Sequence, residues 1–193
     1  YMQDKAYINE VVNGDVHTAN MKMAGLTNRD QAKTFIYAFL YGAGAAKIGK
    51  VVGGGSAQGR DLIERFLGNM PALKRLRNQV TEAAREGSIL GLDGRHLKIR
   101  SEHAALNTLL QGAGAIICKE WLVQITRIIN ARGVDAKLVA SIHDEYQFEV
   151  SVKDTLNFCR ITKEAILDTS RNLAVVCPLD SQYKVGKTWA ETH

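Results

Sequence analysis

Apolar side chains recur at helical spacing through much of the first hundred residues. Residues 7–23 are loosely helical, and a clear stripe follows. Ala32, Phe35, Ile36, Phe39 and Leu40 fall at i, i+3, i+4, i+7 and i+8, the pattern of a helix that buries one face. Thr27 is placed to cap that helix, Asp30 stands three residues on as in a capping box, and Gly42 ends it. A glycine-rich stretch over 42–59 comes next, with Ser56 placed to cap a helix over 57–67. A second amphipathic run covers 72–86, just past Pro71. The pattern then changes. Residues 89–100, with Asp93-Gly94 as turn dipeptide, predict a β-hairpin. A long helix over 103–131 is closed by Gly133. Residues 138–150 alternate as strand around His143-Asp144-Glu145, followed by a helix over 152–173 and a short strand around Tyr183. The expectation is an α+β fold, helix-rich first and mixed afterwards, without internal repeats and with its candidate boundary near residue 100.

Composition adds limits to this outline. A chain of 193 residues with 46% hydrophobic and 23% charged positions has enough apolar material for one ordinary domain or two small lobes on a shared core. No apolar run approaches the ~20 residues of a membrane span, and the first ten residues lack the apolar core of a signal peptide. A cytoplasmic protein without membrane attachment is expected. Cys118, Cys159 and Cys177 form no CxxC pair, so they predict buried thiols, with no disulfide framework or thiolate zinc site. The formal charge of +5 suits a polyanionic partner. A start at Tyr1 is expected of a piece of a longer polypeptide.

Three constellations carry candidate chemistry. Arg29, Lys33, Tyr37 and Tyr41 recur every fourth residue, so they form a stripe beside the buried one. It suits either a solvated helix face or a nucleoside triphosphate, with cations on the phosphates and rings over base and sugar. His17 adds a third candidate phosphate donor. Second, His143-Asp144-Glu145 interrupts two apolar arms. An Asp there serves either as turn chemistry or, with Glu145, as oxygen ligands for a hard dication such as Mg²⁺. A two-metal site needs a further carboxylate from another segment. Third, His103, Asn107 and Gln111 recur at i+4, followed by Gly112 and Gly114. This is either an ordinary polar face or a set of donors that meets minor-groove acceptors common to every base pair. The stretch Gly44 to Lys50 has P-loop spacing, but Val51 stands where Ser or Thr would reach a metal, and no strand precedes it.

In order and spacing these segments resemble family A, or polymerase I-like, DNA polymerases, most closely the replicative enzymes of T-odd podophages. Asn13-Gly14-Asp15-Val16-His17-Thr18 resembles the segment just after motif A. Arg29 to Gly42 keeps the motif B pattern R-x3-K-x7-YG. Gly91 to Arg95 and His103 to Gly112 resemble the primer-template contact segment, and His143-Asp144-Glu145 resembles motif C. Gly186-Lys187-Thr188-Trp189, with His193 four residues on, resembles the family's C-terminus.

The resemblance implies fingers over 1–102 and the C-terminal part of a palm over 103–193, with motif C on an antiparallel hairpin. It implies that His17, Arg29, Lys33, Tyr37 and Tyr41 bind the nucleotide and that Lys33 serves as general acid. Asp144 would be the metal ligand with Glu145 auxiliary, and Arg95, His103, Asn107, Gln111 and His143 would contact DNA. The implied cofactor is Mg²⁺. The implied partners are dNTP, primer-template DNA, the remainder of a polymerase in cis or in trans, and a processivity factor. Two departures stand out. His103 replaces the more usual Arg, and no D-x-S-x-x-E motif A occurs, the nearest imitation being Asp168-Thr169-Ser170 with Leu173 in place of Glu. A portion that does not catalyse alone is therefore expected. The alternatives are a non-catalytic nucleic-acid-binding module derived from a polymerase and a relative of single-subunit RNA polymerases.

Overall fold

The computed structural model describes residues 1–192. They form two compact units that divide between Gln111 and Gly112.

The first unit is mostly helical, with α1 (Lys5–Asn13), α2 (Val16–Ala24), α3 (Arg29–Leu40), α4 (Ala45–Val51), α5 (Ser56–Asn69) and α6 (Pro71–Arg85). A short antiparallel hairpin follows, β1 (Ser88–Leu90) with β2 (His96–Lys98), and then the start of α7 (Ala105–Arg132). The loosely helical region over 7–23 forms two helices, because the chain breaks at Gly14 and restarts on Asp15. The Asp15 side chain accepts from the backbone amides of His17 and Thr18. For α3 the cap is Asn28 and not the expected Thr27. Asn28 is the residue with extended backbone, and its Oδ1 accepts from the amides of Asp30 (2.9 Å) and Gln31 (3.1 Å). Gly42 ends α3 as anticipated, in the left-handed region at φ 78°. Its amide and that of Ala43 reach back to the Phe39 and Ala38 carbonyls.

The glycine-rich stretch holds an element that the sequence pattern did not announce. Its middle is α4, and Ser56 is the first helical residue of α5 rather than its cap, which is Gly55. A Cβ at Gly49 would run into the Gly55 carbonyl oxygen, and one at Gly59 into that of Ala45. Glycine here allows two helices to touch backbone to backbone. Behind them Phe35, Phe39 and Phe66 interlock, with ring centroids 5.1 to 6.0 Å apart. Ile48, Leu62, Met70 and Leu106 complete this core. A smaller cluster, Val80, Ala84, Ile89, Ala105 and Leu109, seats the hairpin against α6 and α7.

The second unit contains the rest of α7, the antiparallel pair β3 (Ala136–Ile142) and β4 (Glu145–Val150), and α8 (Thr155–Asn172). Pairing runs from Ala136↔Val150 to Ile142↔Glu145, with a bulge between Leu138 and Ala140. Its core joins Ile125 and Ile129 of α7 to Phe158, Ile161 and Ala165 of α8, and Phe148 covers it from β4. Trp121 fixes the contact by donating its indole N–H to the Thr162 carbonyl at 3.0 Å. The short strand expected around Tyr183 is not formed. That stretch is irregular up to a last helical turn, α9 (Trp189–Thr192), and pairs with no strand among the described residues. His193 of the expected terminal motif lies outside the described residues. Of the thiols expected to be buried, Cys159 is; Cys118 and Cys177 are partly exposed. No helix among the described residues is long and apolar enough to cross a membrane.

Candidate functional site

The two stripes of α3 separate cleanly. Ala32, Phe35, Ile36 and Phe39 are at most 6% exposed, and Arg29, Lys33, Tyr37 and Tyr41 stand on the open side. Core packing against α2 and α4, and of Phe35 and Phe39 on Phe66 of α5, therefore determines which way the cations and rings face. His17, in the first turn of α2, places its ring 6.4 Å from that of Tyr37. Its Nδ1 is buried and has no hydrogen-bond partner among the described residues. Arg29 is bound to the α2 cap. Its Nε meets Asp15 Oδ2 at 2.9 Å, and its Nη2 meets Oδ1 at 3.0 Å. That guanidinium, with further help from the Thr18 hydroxyl and the amides of the turn, holds the Asp15 carboxyl far below the usual carboxylate range. Four predicted residues, His17, Arg29, Lys33 and Tyr37, thus border one open face.

A second group meets at the far end of α3. Gln111 donates from Nε2 to the Tyr41 hydroxyl at 3.3 Å. Next to Tyr41, Gly42 lies so close to the His103 carbonyl that a Cβ would overlap its oxygen. Asn107 shares α7 with Gln111, one turn earlier. Arg95 does not join them; it pairs with Asp93 inside the β1–β2 turn at 2.6 Å.

His143 and Asp144 form the tip of the β3–β4 hairpin in the second unit, with His143 in the left-handed region at φ 54°. Asp144 and Glu145 offer the oxygen donors that a hard dication prefers. Glu145 is engaged by Gln147 through its Oε1. Among the described residues no cluster of three or more His, Cys, Asp or Glu side chains could complete a metal site. The donor chemistry fits Mg²⁺. Cys118 on α7 lies near enough for Asp144 to add to the burial that raises its thiol pKa. An open trough of about 1780 Å³ begins here, lined by Cys118, Trp121, Asp144, Tyr146, Phe148 and the terminal stretch.

Two neighbours of the predicted residues were not singled out as site residues in the sequence, Asp15 and Cys118. Asp15 carried a visible signal as a cap residue before an apolar run, but its partner lies 14 positions away. Cys118 carried none.

Comparison with known proteins settles the family. Its sequence model, described as DNA polymerase family A, matches residues 3–191. The chain belongs to DNA polymerase family A. It is 40% identical over 209 residues to a DNA-directed DNA polymerase of Enterobacteria phage T3, covering 97% of this chain and 30% of that one. The same figures hold for the DNA-directed DNA polymerase of Escherichia phage T7. Bacterial relatives are more distant. The DNA polymerase I of Bacillus caldotenax is 27% identical over 174 residues, covering 83% of this chain and 20% of that one. Among solved structures, the POL domain of Pol1 from M. smegmatis, in a complex with DNA primer-template and dNTP, shares the fold with a TM-score of 0.77 at 20% identity. The match takes in 87% of this chain and 34% of that one. This family A chain thus spans about a third of the length of its phage relatives.

Proposed function

We propose that this chain is the nucleotide-binding and primer-end portion of a DNA-directed DNA polymerase, which adds dNTPs to a primer on a DNA template. The observation that carries the reading is the open face of α3, where Arg29, Lys33 and Tyr37 stand together beside His17 while the opposite face is buried. The cations would hold the triphosphate and Tyr37 would cover base and sugar. Lys33 is positioned in the motif to give a proton to the departing pyrophosphate. Tyr41, linked to Gln111, would lie at the template side. Asn107 and Gln111 would test base pairs from the minor groove, and Arg95, His103 and His143 would contact the duplex.

Asp144 would hold Mg²⁺ with Glu145 as auxiliary. When bound there, Mg²⁺ would supply charge neutralisation for the attack of the primer 3′-OH on the α-phosphate. The second carboxylate belongs to a motif A that these 193 residues do not contain, so catalysis needs the remainder of a polymerase, in cis or in trans. A bacterial host's cytoplasm is the proposed place of action. The domain reading, fingers first and palm portion second, is proposed with it.

Primer extension tests the reading. Supplied with a cognate segment carrying motif A, the chain extends a primer with Mg²⁺, and Asp144→Ala abolishes extension while leaving DNA binding within about twofold. Extension that survives Asp144→Ala would reduce the chain to a nucleic-acid-binding module. Incorporation of ribonucleotides in preference to deoxyribonucleotides would assign it to RNA synthesis.

A further inference from the structure

Arg29 is the first residue of α3, where the helix dipole disfavours a cation. Its head is nevertheless tightly placed, by a carboxylate with nothing left to give. Asp15 Oδ1 accepts from the His17 amide (3.0 Å), the Thr18 amide (3.3 Å) and Arg29 Nη2 (3.0 Å). Oδ2 accepts from the Thr18 hydroxyl (2.7 Å) and Arg29 Nε (2.9 Å). Two oxygens offer about four lone-pair sites, so five donors saturate them. Arg29 is in the opposite state: a guanidinium has about five N–H groups, of which two are used here, and its side chain is 49% exposed. The fixed partner is the acid, and the partner with spare donors on the open face is the base. The same carboxylate caps α2 and so sets the turn that presents His17 to Tyr37.

We propose that Asp15 is the positioning residue of the triphosphate grip, aiming the guanidinium of Arg29 at the phosphates and, through the first turn of α2, placing His17 beside Tyr37. The proposal rests on the triphosphate reading of this face. It has a consequence for charge. The Arg29–Asp15 pair is neutral at a distance, so Arg29 contributes directed hydrogen bonds, while Lys33 contributes the net attraction. Removing Arg29 alone exposes a bare carboxylate to the phosphates. Asp15 therefore helps binding only while Arg29 is present, and opposes it afterwards.

That change of sign is the test. Binding of dATP with Mg²⁺ is measured on the whole chain for Asp15→Asn, Arg29→Ala and the double variant. Asp15→Asn keeps an oxygen for the α2 cap and loses the charged fork. It weakens binding by roughly tenfold, the worth of one charge-assisted hydrogen bond. In the Arg29→Ala background the same change leaves binding equal or tighter. Asp15→Ser, which also keeps a cap oxygen, repeats both results if Asn perturbs the fold. Equal weakening in both backgrounds would make Asp15 a helix cap only, and tighter binding by Asp15→Asn alone would make it a quencher of Arg29; either overturns the proposal. Failure of the underlying reading has a different signature: Arg29→Ala and Lys33→Ala then both bind dATP as the native chain does.

Discussion

Glu120 on α7 takes hydrogen bonds through Oε1 from Asn172 (2.9 Å) and Gln124 (2.5 Å). The Asn172 bond, then that of Gln124, holds its carboxyl below the ordinary value. A depressed folded-state pKa means that the ionised form is favoured by folding. The stability is present above the ordinary carboxylate value of about 4.3 and is lost as pH falls through the folded value. Between about pH 5 and 3 the melting temperature of the native chain should fall more steeply than that of Glu120→Gln, followed by circular dichroism; parallel slopes would remove Glu120 from the acid response. The Gln124 bond spans one helical turn, but the leading one was not visible in the sequence, since Asn172 lies 52 positions from Glu120. The same limit hid the pairing of Asp15 with Arg29. Residue choices within a few positions were legible but not always resolved. Thr27 and Asn28 are both cap residues, and only the backbone angles decide between them.

Element by element, the strongly periodic segments emerged where the apolar spacing placed them, because a helix that buries one face must repeat near 3.6 residues. α3, α5, α6, α7 and α8 are of this kind, as is the hairpin around His143-Asp144. The misses were elements whose stability comes from neighbours. α4 is seven residues long and rich in small side chains, so its periodicity is weak and its existence depends on packing against α5. The stretch around Tyr183 had strand-like alternation but has no ladder partner among the described residues. The backbone approach of α4 and α5 gives a direct test. Gly59→Ala places a methyl group on the Ala45 carbonyl, so unfolding in urea should show a loss of about 1–3 kcal/mol or more, the usual cost of overpacking. Gly68→Ala, on the same helix with open space around it, should gain a few tenths from helix propensity. Equal effects at the two positions would show that the close approach does not govern stability.

At the scale of the whole molecule, the order of motifs was the most legible feature and the family followed from it. The change from a helix-rich to a mixed pattern lies near residue 100, and the compact units part inside α7, whose apolar positions serve separate cores: Leu106 and Leu109 the two clusters of the first unit, Ile125 and Ile129 that of the second. Apolar spacing alone does not mark where one core stops along the 28 residues of α7. What does mark the place is Gly112 and Gly114, each costing about 1 kcal/mol against alanine inside a helix. A scanning calorimeter should therefore record two overlapping heat absorptions, since fraying can stop at the weak turn instead of travelling the length of α7. A Cβ at Gly114 meets open space, so Gly114→Ala should strengthen that turn and draw the two peaks toward one. Peaks that stay apart would mean that the halves of the helix melt independently whatever joins them.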